Sequence, residues 1–231
     1  MFKAIKNKKI YEQVLDQIKD LLIRKELKVG QKMPSEIELS ETWGVSRASL
    51  REALKVLDVL GMVEAKAGEG TMIKQADPES LKNIMSLVAI SRGFDTAELY
   101  EVRTAIERSS VRLAATRRTA QDVEAMKRIL TEMDSEYVNE EQGNELDFYF
   151  HRSIADASKN RILIMLMEMV SGLLEQQIRE TRSTLANSAT ILKRFQEQHW
   201  EIFRAIEAGK PETAEAAMFE HMSYAQKKLG F

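Results

Sequence analysis

Residues 34–57 read PSEIELSETWGVSRASLREALKVL, and this stretch decides how the N-terminal part of the chain folds. Ser35 followed three residues later by Glu38 is the opening of a capped helix, because the hydroxyl and the carboxylate can each satisfy a backbone N–H that the first helical turn leaves orphaned. Gly44 supplies the left-handed residue that ends such a helix after two turns. Ser46 then caps another helix, and Leu50, Leu54 and Leu57 recur at the spacing of one buried face. Two short helices joined by Thr42-Trp43-Gly44-Val45 have the dimensions of a helix-turn-helix, whose second helix enters a DNA major groove. The first turns of that second helix carry Ser46, Arg47, Ser49 and Arg51. A guanidinium can bond a guanine edge bidentately or hold phosphates, and a serine hydroxyl bonds either without bulk. Read by itself, a helix start of this kind can equally be a solvated face whose arginines pair with Glu41 or Glu52.

Working outward, Ile10, Val14, Ile18, Leu21 and Leu22 predict a preceding helix that ends before Gly30. Downstream, residues 62–66 and 71–74 predict two strands around Ala67-Gly68-Glu69-Gly70, whose glycines permit a tight turn. The result is three helices and a hairpin, with the Gly68 backbone able to approach a groove closely. The whole chain carries a net charge of only −2. Up to Lys74 it holds 14 Lys and Arg against 11 Asp and Glu, so the slight positive excess lies on the anion-facing half.

The order and spacing of Pro34-Ser35-Glu36, Glu38-Leu39-Ser40, Gly44-Val45-Ser46-Arg47, Leu50-Arg51-Glu52-Ala53-Leu54 and Gly68-Glu69-Gly70-Thr71 resemble the winged helix-turn-helix of the GntR family. The resemblance spans roughly residues 10–74. It implies DNA contacts from Ser46, Arg47, Ser49, Arg51 and Gly68. Two positions depart from the family pattern: Ile37 stands where some members carry an operator-contacting arginine, and Glu69 occupies a wing-tip place that is often basic.

After Pro78 the pattern changes to helix upon helix, predicted near 79–91, 96–117, 120–139, 144–158, 161–183, 188–208 and 211–228. Asp95 with Glu98, Gly209 and Pro211 are physical start and stop signals. The expected fold is therefore mainly α: a winged helix-turn-helix over 1–75, a linker at 76–79, and an all-α bundle over 80–231. No apolar run reaches the length of a membrane span, no secretory leader pattern follows the basic first residues, and cysteine is absent. These features fit a cytoplasmic protein without disulfides or thiolate metal sites.

The three histidines of the chain, His151, His199 and His221, each fall in a predicted helix on or beside an apolar stripe. Asp147 precedes His151 by four residues, so both project from one helix face. Imidazoles and a carboxylate suit a divalent transition metal: zinc is the first choice, with nickel, manganese or iron also compatible. Taken one at a time, each histidine is more often a core residue bonded to a carbonyl, and sequence does not make them converge. The stretch 80–228 resembles the FCD ligand-binding domain of the FadR-like GntR subfamily. Leu99-Tyr100-Glu101-Val102-Arg103, Ile106-Glu107, Asp147, Phe150-His151 and Ala157-Ser158-Lys159-Asn160 carry that likeness. It implies a metal site of Asp147, His151, His199 and His221, and an effector-carboxylate role for Arg103, whose alternative is an ion pair with Glu107 one turn on. The reading is a homodimeric regulator, a repressor, whose affinity for a pseudo-palindromic double-stranded DNA operator is set by a small organic acid. Its rivals are a helical metalloenzyme acting on a small carboxylate, and a regulator whose metal is purely structural.

Overall fold

A computed structural model describes residues 8–66, 70–135, 140–185 and 189–230, with side chains left aside at 140, 175–185, 189 and 229. Among the described residues there are ten helices and one two-stranded sheet. The chain divides into two compact units, Met1–Ile84 and Met85–Phe231.

The first unit contains α1 (Ile10–Ile23), α2 (Glu36–Trp43), α3 (Arg47–Val59), β1 (Val63–Lys66) and β2 (Gly70–Ile73). The serine caps are in place, Ser35 Oγ accepting from Glu38 N at 3.2 Å and Ser46 Oγ from Ser49 N at 3.1 Å, but at α2 only this half of the expected capping box is formed. Gly44 ends α2 with φ +63°, a left-handed conformation that only glycine adopts without cost. Val14, Ile18, Leu39, Leu50, Ala53, Leu54, Leu57, Val63 and Ile73 form one buried cluster, which fixes α3 over α1 and the hairpin. β1 and β2 pair antiparallel with Val63 opposite Ile73. Residues 30–33 run along the other side of β2, through Gly30 N to Ile73 O at 2.8 Å and Met33 N to Thr71 O at 2.8 Å. Gly61 has φ +65°, and a Cβ there would stand 2.7 Å from that of Asp77, so the chain leaving α3 is pinned against the segment that begins α4.

Helix α4 (Pro78–Arg92) starts inside the stretch expected to be linker, with Pro78 in its first turn, and the boundary between the two units falls within it. The second unit continues with α5 (Thr96–Arg117), α6 (Ala120–Met133), α7 (Glu140–Ala157), α8 (Arg161–Leu185), α9 (Ala189–Glu207) and α10 (Pro211–Leu229). Two boundaries differ from the sequence expectation. Helix α6 stops at Met133 rather than 139, where Gln196 Nε2 donates to Met133 O at 2.9 Å and Trp200 Nε1 donates to Asp134 at 2.7 Å, tying its end to α9. Helix α7 begins at Glu140 and runs through Gly143, whose roughly 1 kcal/mol helix penalty the surrounding turns outweigh. Helix α5 is the centre of the bundle, packed against α7, α8, α9 and α10. That position explains why polar residues on it, Arg103, Glu107 and Ser110, are as buried as Ile106 and Val111.

Candidate functional site

In the first unit, the first turns of α3 present Arg47 and Arg51 to solvent, with more than half of each side chain exposed. Ser46 is exposed and Ser49 half-buried, with their hydroxyls 3.0 Å apart. The partner of the arginines is neither Glu41 nor Glu52. It is Glu36, the first residue of α2, whose Oε2 accepts from Arg51 Nε at 2.6 Å and lies 4.0 Å from Arg47 Nη2. This contact spans 15 residues across the turn and had no periodic signal. Gly68 lies outside the described residues, as does Glu69. Ile37 is about half exposed on α2.

In the second unit, three helices bring the histidines and Asp147 to one buried place. Asp147 and His151 come from α7, His199 from α9 and His221 from α10, and each is at most 8% exposed. One nitrogen from each of the three imidazoles falls within 4.8 Å of the others. His151 Nε2 stands 3.3 Å from His221 Nε2, and His199 Nε2 stands 3.3 Å from Asp147 Oδ1. Ligands about 2.0–2.1 Å from one tetrahedral ion are separated by about 3.4 Å, a spacing that the His151–His221 pair meets, whereas Asp147, expected as a fourth ligand, stands beside His199 and outside the three-imidazole group. Phe150 and Phe195 wall the cluster, at 5.0 Å from the His199 ring and 5.8 Å from the His221 ring. Burial, then the neighbouring His199 and His151, hold His221 well below the ordinary histidine range. Its neutral form, the one that ligates metals, is therefore favoured near neutral pH.

Arg103 and Glu107 lie on α5, one turn apart, at the edge of this cluster. Arg103 Nε donates to Glu107 Oε1 at 3.2 Å, which is the ion-pair alternative weighed from the sequence. The same Oε1 stands 2.8 Å from His151 Nδ1. Glu107 thus joins the arginine to the histidine cluster, a role that its i, i+4 relation to Arg103 alone did not disclose. Burial would raise the Glu107 carboxyl, but His151 and Arg103 outweigh it and hold it below the usual range. A carboxylate beside Nδ1 favours the tautomer protonated there, which leaves the Nε2 lone pair directed at the other ligands. Because Glu107 engages Arg103 through Nε, the two terminal nitrogens of the guanidinium are not committed to that bond, and they form an edge suited to a second carboxylate.

Residues 10–73 match the bacterial regulatory proteins of the gntR family, and residues 98–224 match the FCD domain. The chain belongs to the GntR family. It is 40% identical over 205 residues to the HTH-type transcriptional regulator LutR of Bacillus subtilis, covering 88% of this chain and 94% of that protein. It is 31% identical over 221 residues to the putative L-lactate dehydrogenase operon regulatory protein of Escherichia coli, covering 94% and 85%. A solved structure from the same family, Streptococcus agalactiae GntR, superimposes with a TM-score of 0.70 at 24% identity over 94% of this chain and 99% of that one, which establishes the shared fold. The GntR and FCD parts make the chain a DNA-binding transcriptional regulator. Its relatives are regulators rather than enzymes, which removes the metalloenzyme alternative. Among the described residues, no helix is long and apolar enough to cross a membrane.

Proposed function

We propose that this GntR-family chain is a homodimeric repressor whose FCD unit senses a small α-hydroxy acid at a metal held by Asp147, His151, His199 and His221. The observation that carries the reading is the convergence of three buried imidazoles, with Asp147 against His199, from three separate helices. Zinc is the first choice for such a donor set, and nickel, manganese or iron also suit it. Bound there, the ion supplies positive charge and open coordination positions for an anionic oxygen ligand. The chain's own residues do the rest: Glu107 orients His151, Arg103 offers its terminal nitrogens to the effector carboxylate, and Phe150 and Phe195 keep the site dry. An acid of the lactate class is favoured by the name of the Escherichia coli relative, which ties that protein to an L-lactate dehydrogenase operon.

On the DNA side, Ser46, Arg47, Ser49 and Arg51 read or anchor the major groove, with Gly68 at the wing. Two heads of a dimer then engage the half-sites of a pseudo-palindromic operator. Sensing is linkage: an acid that prefers one conformation of the regulator changes operator affinity by the factor by which DNA changes acid affinity. Metal analysis of the purified protein, followed by thermal shift with L-lactate before and after chelation, tests the sensor part. A rise in melting temperature only in metal-loaded protein is expected. An equal rise after complete metal removal, or none in either state, contradicts the proposal and leaves at most a metal that staples the bundle.

A further inference from the structure

Both arginines in the first turns of α3 lean on a single carboxylate from the preceding helix. Glu36 Oε2 holds Arg51 Nε at 2.6 Å and stands 4.0 Å from Arg47, while its own side chain is about one-third exposed. An acidic group at a surface meant to meet DNA phosphates costs affinity, because the three charges sum to +1 rather than +2 and fewer counterions are released on binding. The ordinary account of Glu36 is local: a carboxylate in the first turn of α2 interacts well with that helix's N-terminal dipole. That account explains the residue's position but not its bond to Arg51.

The geometry of the bond is informative. Glu36 takes Nε and leaves the terminal Nη1/Nη2 edge of Arg51, the pair of parallel donors that matches guanine O6 and N7. A flexible arginine with no such brace follows whichever phosphate is nearest. One braced at Nε has its rotamer set in advance, so less side-chain freedom is lost when it meets a base edge.

We propose that Glu36 is a specificity-determining residue of the DNA-reading surface. It positions Arg51 for a base edge and subtracts from the phosphate-only affinity of Arg47 and Arg51. The inference rests on the reading that α3 enters the major groove, and the test separates the two.

The full-length protein and the variants Glu36→Gln, Arg51→Ala and the double variant are compared on two duplexes. One is recovered by selection from a randomised library with the wild type; the other is a scrambled duplex of the same length. Removing one opposing charge is worth a factor of about eight at 0.1 M salt, so Glu36→Gln is expected to bind the scrambled duplex about eightfold tighter for each engaged head, about 60-fold for a dimer that engages both. Its salt slope steepens by about 0.9 per head. The ratio of selected to scrambled affinity falls about tenfold, and repeated selection shows relaxed preference at the base pair that Arg51→Ala also relaxes. In the Arg51→Ala background, Glu36→Gln leaves base preference unchanged. The proposal is overturned if Glu36→Gln keeps the wild-type ratio and base preferences, including where it only lowers the melting temperature as loss of a dipole contact would. If Arg51→Ala itself changes neither operator affinity nor any base preference, the groove reading fails, and the specificity role falls with it.

Discussion

Replacing Arg103 by methionine removes one partner of a buried charge network while keeping the length of the side chain. The Arg103 side chain is 9% exposed and that of Glu107 is fully buried, at 3.2 Å, so neither charge has ready access to water. Breaking such a pair by deleting one member costs about 3–5 kcal/mol. The lower figure applies here because His151 Nδ1 still stands 2.8 Å from Glu107 Oε1. The assay is urea unfolding of metal-free protein in a Trp43→Phe background, where Trp200 is the one remaining indole and reports on the FCD unit. With an m-value of about 2 kcal/mol/M, a loss of about 3 kcal/mol moves the midpoint down by about 1.5 M. Arg103→Met with Glu107→Gln removes both charges and is expected to regain at least about 1 kcal/mol over the single variant. A shift of less than about 0.5 M in Arg103→Met, or a double variant as unstable as the sum of the singles, refutes the claim that Glu107 depends on Arg103 for its charge.

Three further outcomes follow from the geometry. Glu107→Gln weakens zinc binding about 10- to 100-fold in chelator competition, and His199→Ala or His221→Ala weakens it by at least that much; equal affinities in all variants contradict the assignment. Asp122 closes the capping box of α6 with Thr119 and pairs with Lys159 at 2.7 Å. Burial would raise its carboxyl, but Lys159 and Thr119 outweigh that and lower it. The stabilisation is therefore complete above the ordinary aspartate range and is lost as pH falls below about 4. Asp122→Asn accordingly loses about 1 kcal/mol at pH 7, and its stability converges on that of the wild type in acid, as followed by Trp200 fluorescence. Ser46→Ala removes the cap of α3 and costs about 1 kcal/mol in the first unit, read from Trp43 with Trp200→Phe.

The sequence made the local chemistry legible and the long-range chemistry only in part. Ser35, Gly44, Ser46, Asp95 and Pro211 act through hydrogen bonds and dihedrals within a turn, so their signals are contained in neighbouring residues, and the structure places a helix start or stop at each. Helix α6 ended early because its terminus is held by Gln196 and Trp200, more than 60 residues away, and no local pattern encodes that. The same division runs through the functional residues. Asp147 and His151 share a face by periodicity, whereas their meeting with His199 and His221 depends on how three helices pack. Glu107 was visible as a neighbour of Arg103 but not as a neighbour of His151. Glu36 was legible only as part of the Pro34-Ser35-Glu36 motif and not as the partner of Arg51, because the turn between α2 and α3 sets that approach.

Acid binding at the histidine cluster should change operator affinity, which fluorescence anisotropy of metal-loaded protein on its selected duplex, titrated with and without saturating L-lactate, measures. The operator Kd is expected to shift about 5- to 150-fold with the acid and no longer to shift in His199→Ala. An identical Kd in the presence and absence of the acid, in protein shown to carry one metal per chain, contradicts it.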